Sequence, residues 1–241
     1  MLKCIYAIFD AAHPPHDVDL ADAKGLDGAA VYALPYRDIA AAVSDLGRAP
    51  LTPGPEVALQ YESIIERLMA RYCLLPMRFG TLVRNDAAVM GILQKHYPAF
   101  IRNLKQVKDR VEYGLKLLWD VERIKGHALV EVRETVPPLN EDSPPKKYLR
   151  QKHQEHRGEE ALRQKAERVI ETIHPPLKAL SACSKAKTMI TPKIIFDAAY
   201  LVATAQQETF IQTVQALDAQ QPELEFLLTG PWPPYNFIEN L

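Results

Sequence analysis

The sequence predicts an α+β protein of two α/β domains. Three observations carry this. Short β-rich runs alternate with stretches whose apolar residues recur every three or four positions. The pattern weakens around residues 121–140, where prolines cluster up to Pro145. Ten of the 19 prolines stand in pairs, at 14-15, 137-138, 144-145, 175-176 and 233-234, between otherwise readable segments. A residue before proline is pushed out of the helical region, and proline has no N–H to donate, so each pair marks an element boundary or an extended link. The expected domains are residues 1–120, of ferredoxin-like type, and residues 121–241, a smaller βαβ-containing unit with a helical extension and a Pro/aromatic tail over 229–241.

In chain order, residues 2–9 read as a buried strand and residues 10–27 as a polar loop. Residues 29–34 and 39–44 are two more strands, turning near Pro35. From Glu56, the residues Val57, Tyr61, Ile64, Ile65, Leu68 and Met69 have helical spacing. Residues 74–83 return to strand. Asp86 is the expected cap of a second helix to about Lys108, with Val89, Leu93, Phe100 and Leu104 inward. Residues 111–119 alternate as a strand. Residues 148–173 form a long charged helix, which Pro175-Pro176 should kink or interrupt. A strand over 193–203, an amphipathic helix over 206–220 and a strand over 223–229 complete the second half. Past Gly230 the tail should be extended and polyproline-like.

Composition removes several function classes. The 241 residues include only 10 glycines, with no G-x-G-x-x-G and no P-loop pattern, so dinucleotide and P-loop readings fall away. Net charge is −1, giving no global pull toward nucleic acid or anionic lipid. No apolar run approaches the roughly 18 residues of a transmembrane helix, and the N-terminal run is too short for a signal peptide. Cys4, Cys73 and Cys183 are scattered, without C-x-x-C, which disfavours a disulfide scaffold or a cysteine zinc site and suits the cytoplasm. Charge is segregated: the last 48 residues carry −6 and the first 193 carry +5. The acidic end could dock on the basic helix of residues 146–168 or on a basic partner, or both could be solvated faces.

Candidate chemistry is thin. His153 and His156 share a helix face, with Glu159 near, which allows a metal-assisted hydrolase but is not H-E-x-x-H. Arg102, Lys105, Lys108 and Arg110, or the lysines of 146–152, allow an RNA- or small-ligand-binding ferredoxin-like module, without an RNP-type aromatic pattern. No serine or cysteine has a nucleophile context. Two segments depart from core patterning. In Leu75-Pro76-Met77-Arg78-Phe79-Gly80-Thr81-Leu82, proline belongs at a strand edge or end, and Gly80 allows a bulge. In Thr229-Gly230-Pro231-Trp232-Pro233-Pro234-Tyr235-Asn236-Phe237-Ile238, three aromatics must bury somewhere, in this chain or in a partner.

These segments carry a resemblance. The first resembles the LP-x-RFGT motif of the gas vesicle GvpF/GvpL family, and Gly230 to Phe237 resembles its GPWPPY-x-F motif. Val111-Glu112-Tyr113-Gly114-Leu115-Lys116, Lys147-Tyr148-Leu149-Arg150-Gln151-Lys152 and Ala198-Ala199-Tyr200-Leu201-Val202 resemble three further family segments, in family order. Pro144-Pro145-Lys146 stands where many members carry a glycine. The compact length favours the GvpF branch. The resemblance implies an accessory or minor structural protein needed for gas vesicle assembly, cytoplasmic and vesicle-associated, with no enzymatic activity and no cofactor. It implies a modified ferredoxin-like N-terminal domain, a C-terminal α/β domain with a long helical hairpin, and a tail touching both. The implied partners are the shell protein GvpA and other gas vesicle accessory proteins, not nucleic acid or membrane. Arg78, Phe79, Trp232, Tyr235 and Phe237 are the candidate protein-binding or interdomain residues.

Overall fold

The computed structural model describes residues 1–11, 24–47, 54–119, 144–188 and 193–239, with the side chains of 144–162 only in part. The described residues separate into two units: Met1–Glu112 with Pro231–Leu241, and Tyr113–Gly230. The division falls inside a strand rather than near residue 120. The tail expected with the second half groups with the first.

Unit 1 is built on β1 (Leu2–Asp10). This strand is buried throughout because both of its faces carry apolar side chains. It pairs antiparallel with β3 (Ile39–Leu46), which pairs in turn with β2 (Val31–Tyr36). The β2–β3 turn lies at Arg37-Asp38, with Arg37 left-handed at φ 56°; Pro35 sits inside β2, where the sequence placed the turn. On its other side β1 holds β4 (Leu74–Pro76) and β5 (Leu82–Val83).

The register of β1 against β3 slips between Ile5 and Ala7, a bulge at Tyr6. A bulge changes the phase of alternation. Cys4, Tyr6, Ala7 and Phe9 therefore share one core, while Ile5 and Ile8 face another. The first core takes Tyr61, Ile64, Ile65 and Leu68 of α1 (Pro55–Met69). The second takes Val89, Leu93, Phe100, Leu104 and Val107 of α2 (Asp86–Val107). The two helices thus cover opposite faces of one sheet. Asn85, not Asp86, caps α2: its side chain accepts from the Ala88 amide at 2.9 Å. Asp86 falls in the first turn, where its charge still favours the helix dipole.

Unit 2 has a four-stranded sheet in the order β7-β8-β6-β9. Its strands are β6 (Arg110–Trp119), β7 (Cys183–Thr188), β8 (Ile194–Ala203) and β9 (Leu224–Trp232). The polar, exposed β7 had no apolar pattern to announce it. The helix α4 (Gln207–Ala219) links β8 to β9, with β6 between them, so the expected βαβ is a split one. Tyr113, Tyr200 and Phe210 stack with ring centroids 5.4 Å apart in each pair with Phe210.

The long helix α3 runs from Pro144 to Ala179 without interruption at Pro175-Pro176. Ile173 and Leu177, on either side of the pair, are fully buried, and this packing holds the last turn in place despite the missing N–H groups. The expected helical hairpin is represented among the described residues by α3 alone; residues 120–143, including the expected linker, lie outside them. The expected charge docking is seen among the described residues in the ion pair of Lys165 with Glu223 at 2.8 Å.

Candidate functional site

The segment 74–83 is not a continuous strand. Met77 donates to the Tyr6 carbonyl at 2.8 Å, and Ile5 donates to the Thr81 carbonyl at 3.0 Å. Residues 78–80 are therefore extruded from the sheet edge opposite the bulge in β1. They form a tight turn: the Thr81 amide and hydroxyl both donate to the Arg78 carbonyl, at 3.1 and 2.6 Å. Gly80 has φ +79°, the left-handed value that the third position of a type II turn requires. Arg78 is exposed, and Phe79 is 38% exposed while standing edge-on to Tyr61 at 5.3 Å. The Tyr61 hydroxyl donates to the Met77 carbonyl at 2.8 Å and so anchors the base of the turn.

The C-terminal motif is seated on the same unit. β9 continues through Pro231 to Trp232, so the chain does not leave the strand at Gly230. Residues Tyr235–Phe237 then form a short 3-10 turn in place of an extended polyproline tail. The turn arises because Tyr235 and Phe237 donate back to the carbonyls of Pro233 and Pro234. Phe237 is 1% exposed, Tyr235 packs into the α1-side core, and Ile238 packs into the α2-side core. Trp232 remains 39% exposed.

Three polar side chains read this segment. Glu112, 4% exposed on β6, accepts the Asn236 amide at 2.8 Å and the Asn236 Nδ2 at 2.5 Å. Asn103 on α2 donates to the Glu239 carbonyl at 2.9 Å and accepts its amide at 3.0 Å. Glu62 on α1 accepts the Tyr235 hydroxyl at 3.4 Å. The other oxygen of Glu62 is buried and has no hydrogen-bond partner among the described residues. Burial raises the Glu62 carboxyl above its ordinary range, and Glu66 adds to this. Burial also raises the Tyr235 hydroxyl, and the charge of Glu62 reinforces it. Tyr235 therefore keeps its proton and donates it to Glu62.

Adjacent residues of α1 thus carry the two unusual segments, Tyr61 touching Phe79 and Glu62 touching Tyr235. Of the five residues singled out by sequence, Tyr235 and Phe237 are anchors within unit 1, while Arg78, Phe79 and Trp232 present surface. Glu62, Asn103, Glu112 and Asn236 went unrecognised as a group. The available signal was Asn103 on the inward stripe of α2, among Phe100, Leu104 and Val107.

The other chemistries find little support. Burial pushes the Cys4 and Cys73 thiols up to about 11, which makes both poor nucleophiles. His156 is exposed, and the side chains of His153 and Glu159 lie outside the described set. Among the described residues, no group of three potential ligands could hold a metal ion, and no helix is long and apolar enough to cross a membrane.

A family model described as gas vesicle synthesis protein GvpL/GvpF matches residues 3–239. The chain belongs to the GvpL/GvpF family. Gas vesicle protein L of Streptomyces sp. (strain CB03234) is 28% identical, with 98% of this chain and 92% of that protein aligned. Gas vesicle protein F1 of Halobacterium salinarum is 23% identical, over 92% of this chain and 88% of that one. The crystal structure of the gas vesicle protein GvpF from Anabaena sp. PCC7120 superposes with a TM-score of 0.83 at 23% identity, covering 100% of this chain and 99% of that one. That from Microcystis aeruginosa gives 0.80 at 20% identity, over 99% of each chain. Both structural likenesses establish the GvpF fold. The family places this chain among gas vesicle proteins.

Proposed function

We propose that this GvpL/GvpF-family chain is a non-catalytic assembly factor, working in the cytoplasm and at the gas vesicle, that holds the shell protein GvpA and meets other gas vesicle accessory proteins. The observation that carries this reading is the extruded turn at 78–80. An aromatic ring set edge-on to Tyr61, beside an arginine, on a sheet edge is a composition enriched at the centres of protein interfaces. Trp232 is a second exposed aromatic of the same kind. Shell subunits before assembly expose apolar surface and strand edges, and a helper must cover such surface to keep them from aggregating. In this reading Arg78, Phe79 and Trp232 face the partner, and Tyr235 and Phe237 hold the C-terminal motif in place.

The test measures binding of purified full-length chain to GvpA by calorimetry or co-purification. Phe79→Ala and Trp232→Ala should each weaken binding at least tenfold with an unchanged melting temperature. Full binding by the double variant would refute the assignment.

A further inference from the structure

The C-terminal segment is held the way a bound peptide is held. Glu112 grips one main-chain amide and one side-chain amide of Asn236. Asn103 pairs with both the N–H and the C=O of Glu239, as a neighbouring strand would. Phe237 fills a site that leaves it 1% exposed, with Tyr235 and Ile238 packed on either side of it in sequence. Main-chain bonds supply affinity and buried side chains supply selectivity, the division of labour in peptide recognition.

The segment reaches this groove from the other unit. The chain leaves unit 1 after Glu112, builds Tyr113–Gly230, and only then supplies Pro231–Leu241 to unit 1. The boundary falls at Gly230, at φ +118°, inside β9, and Pro233-Pro234 follow the end of that strand at Trp232. That φ suits glycine, and Pro233-Pro234 restrict the torsions between the end of the strand and the docked turn. A tail attached to one unit and docked on another can make the same bonds on a second copy. The closed and exchanged forms then differ mainly in the geometry at this boundary and in association entropy.

We propose that the groove lined by Glu62, Asn103 and Glu112 accepts residues 231–239 of a second copy in reciprocal exchange, giving a tail-swapped pair. The proposal is independent of GvpA binding. The occupant is specified by the site: an amide side chain for the Glu112 carboxylate, an aromatic next to it, and a free main-chain pair for Asn103. In the closed chain the resident tail competes at an effective concentration on the order of millimolar, so exchange is favoured by high protein concentration or a weakened tail.

The test uses the full chain and a fluorescent peptide of residues 231–239. A chain carrying Asn236→Ala should bind this peptide at least tenfold tighter than the wild-type chain, whose own tail fills the groove. A peptide with alanine at 236 and 237 should lose binding at least tenfold. Should Asn236→Ala not fold, Tyr235→Phe weakens the tail more gently and serves in its place. In a second arm, Glu112→Ala chain mixed with Asn236→Ala chain should form a heterodimer by light scattering, because the mixture restores one intact groove with one intact tail. Absence of saturable peptide binding, equal binding of the alanine peptide, or a mixture that stays monomeric would each overturn the proposal.

Discussion

Asn236 and Glu112 lie 124 positions apart in sequence and meet through two hydrogen bonds, a backbone amide and a side-chain amide on the two oxygens of one buried carboxylate. The pair fixes where the C-terminal motif ends its path. Asn236→Ala removes one of the two donors and leaves a carboxylate oxygen buried. Bonds to charged groups contribute about 1.5–3 kcal/mol each, so a loss of about 2 kcal/mol is expected in urea unfolding followed by a probe in unit 1. Asn236→Asp should cost more, since it sets a second anion against Glu112. Equal stability of Asn236→Asp and wild type would show that the carboxylate is not held by this contact.

Glu62 gives a pH signature. Its carboxyl is raised by burial, and its folded state therefore binds a proton more readily than the unfolded chain. Where the folded state holds more protons, stability falls as pH rises. The window opens at the ordinary carboxylate value and closes at the raised one. Glu62→Gln keeps an oxygen for the Tyr235 hydroxyl and removes the charge. The variant should match or exceed wild-type stability at pH 7 and should lose that part of the slope between pH 4 and 7. Denaturant midpoints across this range measure it; an unchanged slope would show that Glu62 is well solvated.

The legible parts of the fold were those with a strong period. Strand β1, helices α1, α2 and α4, and strand β8 follow from apolar spacing because tertiary packing and local preference agree there. The turn at residues 78–81 was half legible: Pro76 and Gly80 signalled an interruption, yet only the pairing of Pro76 with Ala7 and of Leu82 with Cys4 on the facing strand shows that residues are pushed out there. The tail was misjudged because proline content argued for an extended chain, while the deciding bonds come from Glu112 and Asn103, far away in sequence. An inward asparagine within an apolar helix stripe is the local rule violation that marks such a site. The uninterrupted α3 shows the reverse error, in which a local breaker is overridden by two fully buried apolar neighbours.

The bulge predicts an intolerant glycine. Tyr6 turns its hydroxyl onto Ser44 Oγ at 2.7 Å and receives the Leu26 amide at 2.9 Å, a buried network with no spare room. A Cβ at Gly25 would lie 2.8 Å from both hydroxyl oxygens. Gly25→Ala should therefore destabilise by about 1–3 kcal/mol, the range for overpacking a dense core. Ser44→Ala alone should cost about 1 kcal/mol by leaving the Tyr6 hydroxyl with one partner fewer. Combining Gly25→Ala with Ser44→Ala should recover part of the loss, because the hydroxyl oxygen in the way is gone. Strict additivity in thermal unfolding would show that the two sites do not share this space.

Unit 2 carries its own titrating group. His174, in α3, shares a 2.8 Å hydrogen bond with the Tyr200 hydroxyl and stacks within 5.5 Å of Phe196. Burial lowers its pKa, and Lys178 one turn on pushes the same way. Tyr200 is fully buried and its hydroxyl is raised by burial, so the phenol keeps its proton beside the imidazole. The folded chain therefore binds a proton at His174 less readily than the unfolded chain. Stability is intact above the ordinary histidine value and declines as pH falls below it toward the lowered folded value. His174→Gln keeps an acceptor for Tyr200 but cannot titrate. Between pH 7.5 and 5.5 the variant should lose less stability than wild type when unit 2 is followed by a local probe. Equal losses would place the titration elsewhere and reduce His174 to a packing residue of α3.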